Sequence, residues 1–89
     1  MYCVYILKCS DGSLYTGITN NLEKRINEHN FSHLGAKYTK GRRPVSLVYL
    51  LKKRSRSTAT KEEYRIKKLS RIEKINLING KKYERTKKS

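Results

Sequence analysis

A chain of 89 residues with 36% hydrophobic content makes one small domain at most, with a thin core. Against 7 Asp and Glu stand 22 Lys and Arg, a formal charge of +15, and a surface this basic attracts polyanions. No run approaches the ~20 apolar residues of a membrane span, and Tyr2 to Leu7, followed by Lys8, is too short for the apolar region of a signal peptide.

These bounds point to a cytoplasmic protein with a nucleic-acid partner. A membrane surface is the weaker expectation, because the chain has no strongly amphipathic basic helix bearing bulky apolar residues. Cys3 and Cys9 fall on one predicted strand, roughly 20 Å apart at strand rise, so they cannot bridge each other. They read as reduced thiols in a reducing compartment, and no Cys/His spacing suggests zinc.

Residues 2–9, rich in Tyr, Val, Ile, Leu and Cys, suit a first strand. Ser10-Asp11-Gly12-Ser13 reads as a turn, and Leu14 to Thr19 as a second strand. Loop length decides which side chains share a face. A three-residue loop, with Gly12 in the left-handed position of a bulge, sets Leu7 opposite Tyr15 and Tyr5 opposite Gly17. Tyr5 and Tyr15 then become diagonal neighbours, with open space over Gly17. Val4, Ile6, Leu14 and Ile18 take the other face as core. A loop of two or four residues would separate the tyrosines.

Asn20 is the expected N-cap of a first helix reaching about Asn30, with Glu23 three residues on. Leu22 and Ile26 form its apolar stripe. Arg25 and His29, four apart, flank that stripe and aim at the tyrosine face. Residues 31–44 read as a polar loop closed by a proline. Val45 to Leu51 is a third strand, apolar enough to be expected as the best buried one. Ser57 or Thr58 is the expected start of a second helix, with Ala59, Ile66 and Leu69 on one side. Ser70-Arg71-Ile72-Glu73 has the capping-box pattern of a third, expected to end at Asn79-Gly80. Residues 81–89 then form a basic tail expected to be disordered. The fold class is α+β: a small three-stranded antiparallel sheet with three helices, in the order β-β-α-β-α-α.

The chemistry gathers in few places. An arginine at the tyrosine face suits phosphate oxygens and the charge that builds in phosphoryl transfer. A neutral imidazole there relays a proton or holds a water. Glu62 and Glu63 both lie near the apolar side of the second helix, where a carboxylate must be paired or bind a metal. Helical spacing alone does not choose between them. Glu63 also stands three residues after Thr60, as in a capping box.

With Cys3-Val4-Tyr5, Tyr15-Thr16-Gly17, the Arg25/His29 pair in LEKRINEH, and Glu63 in the Ala59–Leu69 segment, the chain resembles the GIY-YIG nuclease superfamily. It is most similar to the small single-domain bacterial proteins of the UPF0213 type. The resemblance covers residues 2–78. It implies a GIY-YIG domain over residues 1–80 and phosphodiester hydrolysis with one divalent metal per site, Mg²⁺ or Mn²⁺. By the same resemblance Glu63 binds the metal, and Tyr5 serves as general base or positions the attacking water, which requires its pKa to be depressed. Tyr15 holds the phosphate or the water, Arg25 clamps the scissile phosphate, and His29 assists. Gly17 leaves room for the nucleic-acid backbone, and Lys40, Arg42, Arg43, Lys52, Lys53 and Arg54 supply cations along it. DNA is expected ahead of RNA, cut by structure rather than by sequence, in a DNA-repair setting, with a protein partner available to choose the target. The rival reading is a basic nucleic-acid-binding module of the same fold with little catalysis. The chain departs from the family pattern at Thr16, where isoleucine is usual, and at Ile18, where some relatives carry lysine. Neither Asn76 nor Asn79 matches the late asparagine that some relatives hold near the metal.

Overall fold

The computed structural model describes residues 1–31 and 37–88. In chain order they form β1 (Tyr2–Lys8), β2 (Leu14–Thr19), α1 (Leu22–Phe31), α2 (Lys37–Lys40), β3 (Ser46–Lys53), α3 (Arg56–Lys67) and α4 (Arg71–Lys88). The architecture is the α+β fold read from the sequence. One further helical turn, α2, lies within the stretch expected as a loop. Residues 32–36 of that stretch lie outside the described residues.

The turn chemistry sets the register of the hairpin. Gly12 takes φ +85°, a conformation that costs a glycine little. Its amide bonds the Cys9 carbonyl at 2.9 Å, and the Cys9 amide bonds the Ser13 carbonyl at 2.8 Å. The Asp11 carboxylate accepts from both the amide and the hydroxyl of Ser13. Tyr5 therefore stands opposite Gly17 and Leu7 opposite Tyr15, as the three-residue loop requires. Both tyrosines lie on one face.

The sheet order is β2-β1-β3, antiparallel throughout. The middle strand is thus β1, and its Val4, Ile6 and Leu7 are fully buried. The expectation that β3 is the best buried strand is overturned. It is an edge strand on which Tyr49 alone is buried and Leu47 is 39% exposed. Apolar content says a strand seeks burial, but position in the sheet decides how much it gets. A register shift between Ile6 and Leu7 leaves Val48 as the extra residue of a bulge. Val48 and Tyr49 then pack on the same side.

Two cores sandwich the sheet. One face carries Val4, Ile6 and Tyr49 against Ala59 and Ile66 of α3, with Leu77 and Ile78 of α4 at its margin. The other carries Tyr5, Leu7, Cys9 and Val45 against Leu22 and Ile26 of α1. Burying an aliphatic side chain of this size stabilises by about 1.5–3 kcal/mol, so Ile6 and Ile66 anchor the first core.

The helix ends differ from expectation in detail. Asn21, not Asn20, caps α1, its side-chain oxygen accepting from the Lys24 amide at 3.2 Å. The same chemistry works one residue later. Ser55 caps α3 in a reciprocal box with Thr58, which starts the helix before Ser57 and leaves Thr60 and Glu63 inside it. The Ser70/Glu73 box forms as read. Asn79-Gly80 does not end α4, which continues to Lys88 through the segment expected as a disordered tail. A helical glycine costs about 1 kcal/mol, and the Lys, Glu and Arg that follow are good helix formers. No helix among the described residues is long and apolar enough to cross a membrane.

Candidate active site

The α1 face of the sheet assembles most of the chemistry. Helical spacing puts Arg25 and His29 one turn apart, and packing of Leu22 and Ile26 presses that edge onto Tyr5 and Tyr15. The Tyr5 hydroxyl and Nε2 of His29 are 3.0 Å apart. The Tyr15 ring meets the His29 ring edge-on with centroids 5.1 Å apart, and lies 6.4 Å from the Tyr5 ring. Arg25 pairs with Glu28 at 2.9 Å, and its charge acts on the Tyr5 phenol.

Electrostatics here favour neutral groups. Burial first, and the neighbouring Tyr15 second, push the Tyr5 phenol up to about 12 against the opposing pull of Arg25. The expected depression of Tyr5 is therefore corrected: in the protein alone, desolvation outweighs the guanidinium. Burial, then the nearby Arg25 charge, lowers His29 to about 4, so its imidazole is neutral at pH 7.

The space over Gly17 is not open. A Cβ there would lie 2.6 Å from the Tyr5 hydroxyl, 2.7 Å from its Cζ and 3.1 Å from the Tyr15 ring. The missing side chain makes room for the Tyr5 ring, which fills the gap that was expected to receive a nucleic-acid backbone.

The two glutamates of α3 separate. Glu62 pairs with Arg65 and feels the charge of Lys53 on β3. Glu63 lies close enough to Tyr5 for its charge to act on the phenol. Its side chain is 19% exposed, and its carboxylate sits 3.3 Å from Lys67. Among the described residues no three His, Cys, Asp or Glu side chains cluster as a ready metal cage. That donor set still fits Mg²⁺, which keeps several waters and takes one or two carboxylates together with substrate phosphate.

Residues 1–76 match the model of a family described as the GIY-YIG catalytic domain. The chain belongs to the GIY-YIG family. Among its relatives are UPF0213 proteins of Syntrophus aciditrophicus, 60% identical over 75 residues (84% of this chain, 86% of the relative), and of Clostridium perfringens, 58% identical over 81 residues (91% and 86%). The solution NMR structure of the UPF0213 protein BH0048 from Bacillus halodurans has a TM-score of 0.58 and 46% identity, over 89% of this chain and 84% of that one. GIY-YIG proteins as a group point to nuclease-type chemistry, and the UPF0213 name states no activity.

Within this GIY-YIG domain the expected cations divide. Arg43 is engaged at the end of α1, where its guanidinium donates to the Glu28 and His29 carbonyls. Arg42 donates to Asp11 and to the Tyr38 carbonyl, and lies 4.2 Å from the Tyr38 ring centre. Lys40, Lys52 and Arg54 are exposed, and Lys53 is half-buried on the Glu62 side. Lys52 pairs with Cys3, one row beyond Tyr5 on the same face.

Three contributors escaped the sequence reading. Thr39 is fully buried with its hydroxyl 2.9 Å from Nδ1 of His29. Tyr38 packs its ring 5.9 Å from that of Tyr15. The Asn30 amide bonds both the N–H and the C=O of Val45, fastening the start of β3 to the end of α1. All lie in polar stretches where no periodicity marks burial.

Proposed function

We propose that the chain is a metal-dependent endonuclease that hydrolyses phosphodiester bonds in DNA, selecting by structure rather than by sequence. The observation carrying this reading is the convergence of Tyr5, Tyr15, Arg25 and His29 on one sheet face within the electrostatic reach of Glu63, in a GIY-YIG chain of charge +15.

Each side chain has a task set by its surroundings. Arg25, anchored by Glu28, clamps the scissile phosphate through charge-assisted hydrogen bonds. Tyr15, half-buried beside His29, donates its hydroxyl to phosphate or water. Glu63 would hold a Mg²⁺, leaving Lys67 for an anion. When bound, that ion supplies charge neutralisation at a non-bridging oxygen and at the leaving oxygen. Tyr5, protonated in the free protein, acts as a relay: it takes a proton from the attacking water as its own passes to Nε2 of His29. The new phosphorus–oxygen bond forms as the bond to the leaving oxygen breaks, and solvent protonates that oxygen. The incoming phosphate charge raises the basicity of His29, which burial first and the cations beside it second suppress in the free protein.

The test is cleavage of nicked, flapped and branched DNA with Mg²⁺, with structured RNA as a parallel arm. The wild type should cut DNA, while Glu63→Ala and Arg25→Ala should each lose roughly 100-fold or more in rate. A wild type that binds DNA yet cuts nothing, or variants that cut equally well, would overturn the enzyme reading in favour of a binding module.

A further inference from the structure

The hydrogen-bonded chain that begins at Tyr5 continues through His29 to Thr39. Nδ1 of His29 lies 2.9 Å from the Thr39 hydroxyl, and neither residue is exposed to solvent. Thr39 is itself fastened, its carbonyl accepting from the Arg42 amide at 3.0 Å. Arg43 grips the carbonyls of the α1 turn that carries His29. Residues 39–43 and the end of α1 therefore hold the hydroxyl and the imidazole in register.

A neutral imidazole donates from one nitrogen and accepts at the other, and the partner of one decides the role of the second. Each ring nitrogen of His29 has a hydroxyl within hydrogen-bond distance, and the two differ: the Tyr5 phenol is the stronger donor and the Thr39 alcohol the better acceptor. Arg25, whose charge acts on the Tyr5 phenol, can only donate. The Tyr5 hydrogen then needs an acceptor, and Nε2 of His29 stands 3.0 Å away. If Nε2 carried the proton instead, the phenolic hydrogen of Tyr5, a residue 1% exposed, would lose the one acceptor that the hydroxyl has within hydrogen-bond distance among the described residues. A buried donor left unpaired costs about 1–3 kcal/mol.

We propose that Thr39 is a positioning residue that keeps the His29 proton on Nδ1, leaving Nε2 to accept from Tyr5. A free imidazole prefers the opposite tautomer, and the Nδ1 partner must overcome that preference. In the opposite tautomer His29 would donate to Tyr5 and could not receive its proton. The catalytic consequence rests on the hydrolase reading above; the tautomer rests on the hydrogen bonds.

The experiment uses full-length protein labelled with ¹⁵N, with His33→Gln leaving a single histidine to observe. At pH 7 the wild-type His29 should show a protonated Nδ1 and an unprotonated Nε2. Thr39→Val keeps the shape and removes the acceptor; it should move protonation toward Nε2 and lower the single-turnover rate about 10- to 100-fold with KM unchanged. Thr39→Ser should restore both. Proton on Nε2 in the wild type, unchanged ring shifts in Thr39→Val, or a Ser variant as impaired as Val would overturn the inference. If Thr39→Val does not fold, the wild-type and Ser spectra decide. A wild type that cuts nothing would sink the hydrolase reading, while the ring shifts would still decide the tautomer.

Discussion

The Tyr5 hydroxyl lies 3.0 Å from Nε2 of His29, with Tyr5 1% and His29 0% exposed. Sealed together, the two resist ionisation in opposite directions, since burial pushes Tyr5 up to about 12 and His29 down to about 4. Between those limits the pair keeps one protonation state. If Tyr5 relays a proton in the step itself, the cleavage rate should be flat from about pH 6 to 9. Single-turnover rates at fixed Mg²⁺ check this. A tenfold rise per pH unit would instead mean that tyrosinate or hydroxide must form beforehand.

His29 also predicts how the fold responds to acid. Its ordinary pKa of 6.5 is lowered to about 4 in the folded protein. Between those values the unfolded chain takes up a proton that the folded one refuses, so stability falls as pH drops from 6.5 to about 4 and levels off below. The full shift corresponds to about 3 kcal/mol at most. Urea midpoints at pH 7.0, 5.5 and 4.5, compared with His29→Gln, should show the wild type losing stability faster over this window. Parallel losses would remove His29 as the cause.

Gly17 makes the site sensitive to a single methyl group. An added Cβ would meet the Tyr5 hydroxyl at 2.6 Å and its Cζ at 2.7 Å. Tyr5 cannot swing away without giving up its His29 bond. Gly17→Ala should therefore cost about 1–3 kcal/mol of stability and at least about tenfold in cleavage under conditions where it is fully folded. Denaturation with rate measurements on the folded variant separates the two effects. Wild-type rates would show that the ring has another place to go.

On the opposite face, Thr16 is buried at 4% exposure and its hydroxyl has no hydrogen-bond partner among the described residues. It stands opposite Ile6, in apolar surroundings where an unpaired hydroxyl is costly. Thr16→Val keeps the branched shape suited to a strand. It should stabilise by about 1 kcal/mol, which for a domain of this size raises Tm by about 4–8 °C. Calorimetry checks it, and a lower Tm would mean that the hydroxyl has a partner after all.

What the sequence disclosed, and what it hid, follows from the range of the interactions. The hairpin register was legible because Asp11-Gly12 carries its own turn chemistry, and one register fixes the relation of Tyr5 to Tyr15 and Gly17. Arg25 and His29 were legible because helical spacing couples them to Leu22 and Ile26. The placing of β3 at an edge was hidden, because strand order depends on long-range pairing rather than on the apolar content of residues 45–51. Thr39 was hidden for a similar reason: nothing local marks it as buried, and its partner lies 10 residues away. The fill over Gly17 was hidden because only the tilt of the Tyr5 ring decides whether that space is open.

The basic residues lead to a last prediction, since charge in the sequence and charge offered to a ligand differ here. Arg43 spends its guanidinium on the carbonyls of Glu28 and His29, and Arg42 is divided between Asp11, the Tyr38 carbonyl and the Tyr38 ring. Lys52 and Arg54 are exposed, and Lys52 shares a sheet face with Tyr5. Removing a cation that binds one phosphate should reduce the slope of log affinity against log salt by about 0.9 on duplex DNA. Lys52→Ala is therefore expected to lower that slope by about 1 and leave stability nearly unchanged. Arg43→Ala should do the reverse, lowering stability by about 1–3 kcal/mol through the loss of its charge-assisted hydrogen bonds to the α1 carbonyls and changing the slope little. Salt titrations of binding to one branched DNA, paired with urea unfolding, read both quantities. If Arg43→Ala lowers the slope as much as Lys52→Ala does, Arg43 leaves its carbonyls for phosphate when DNA binds.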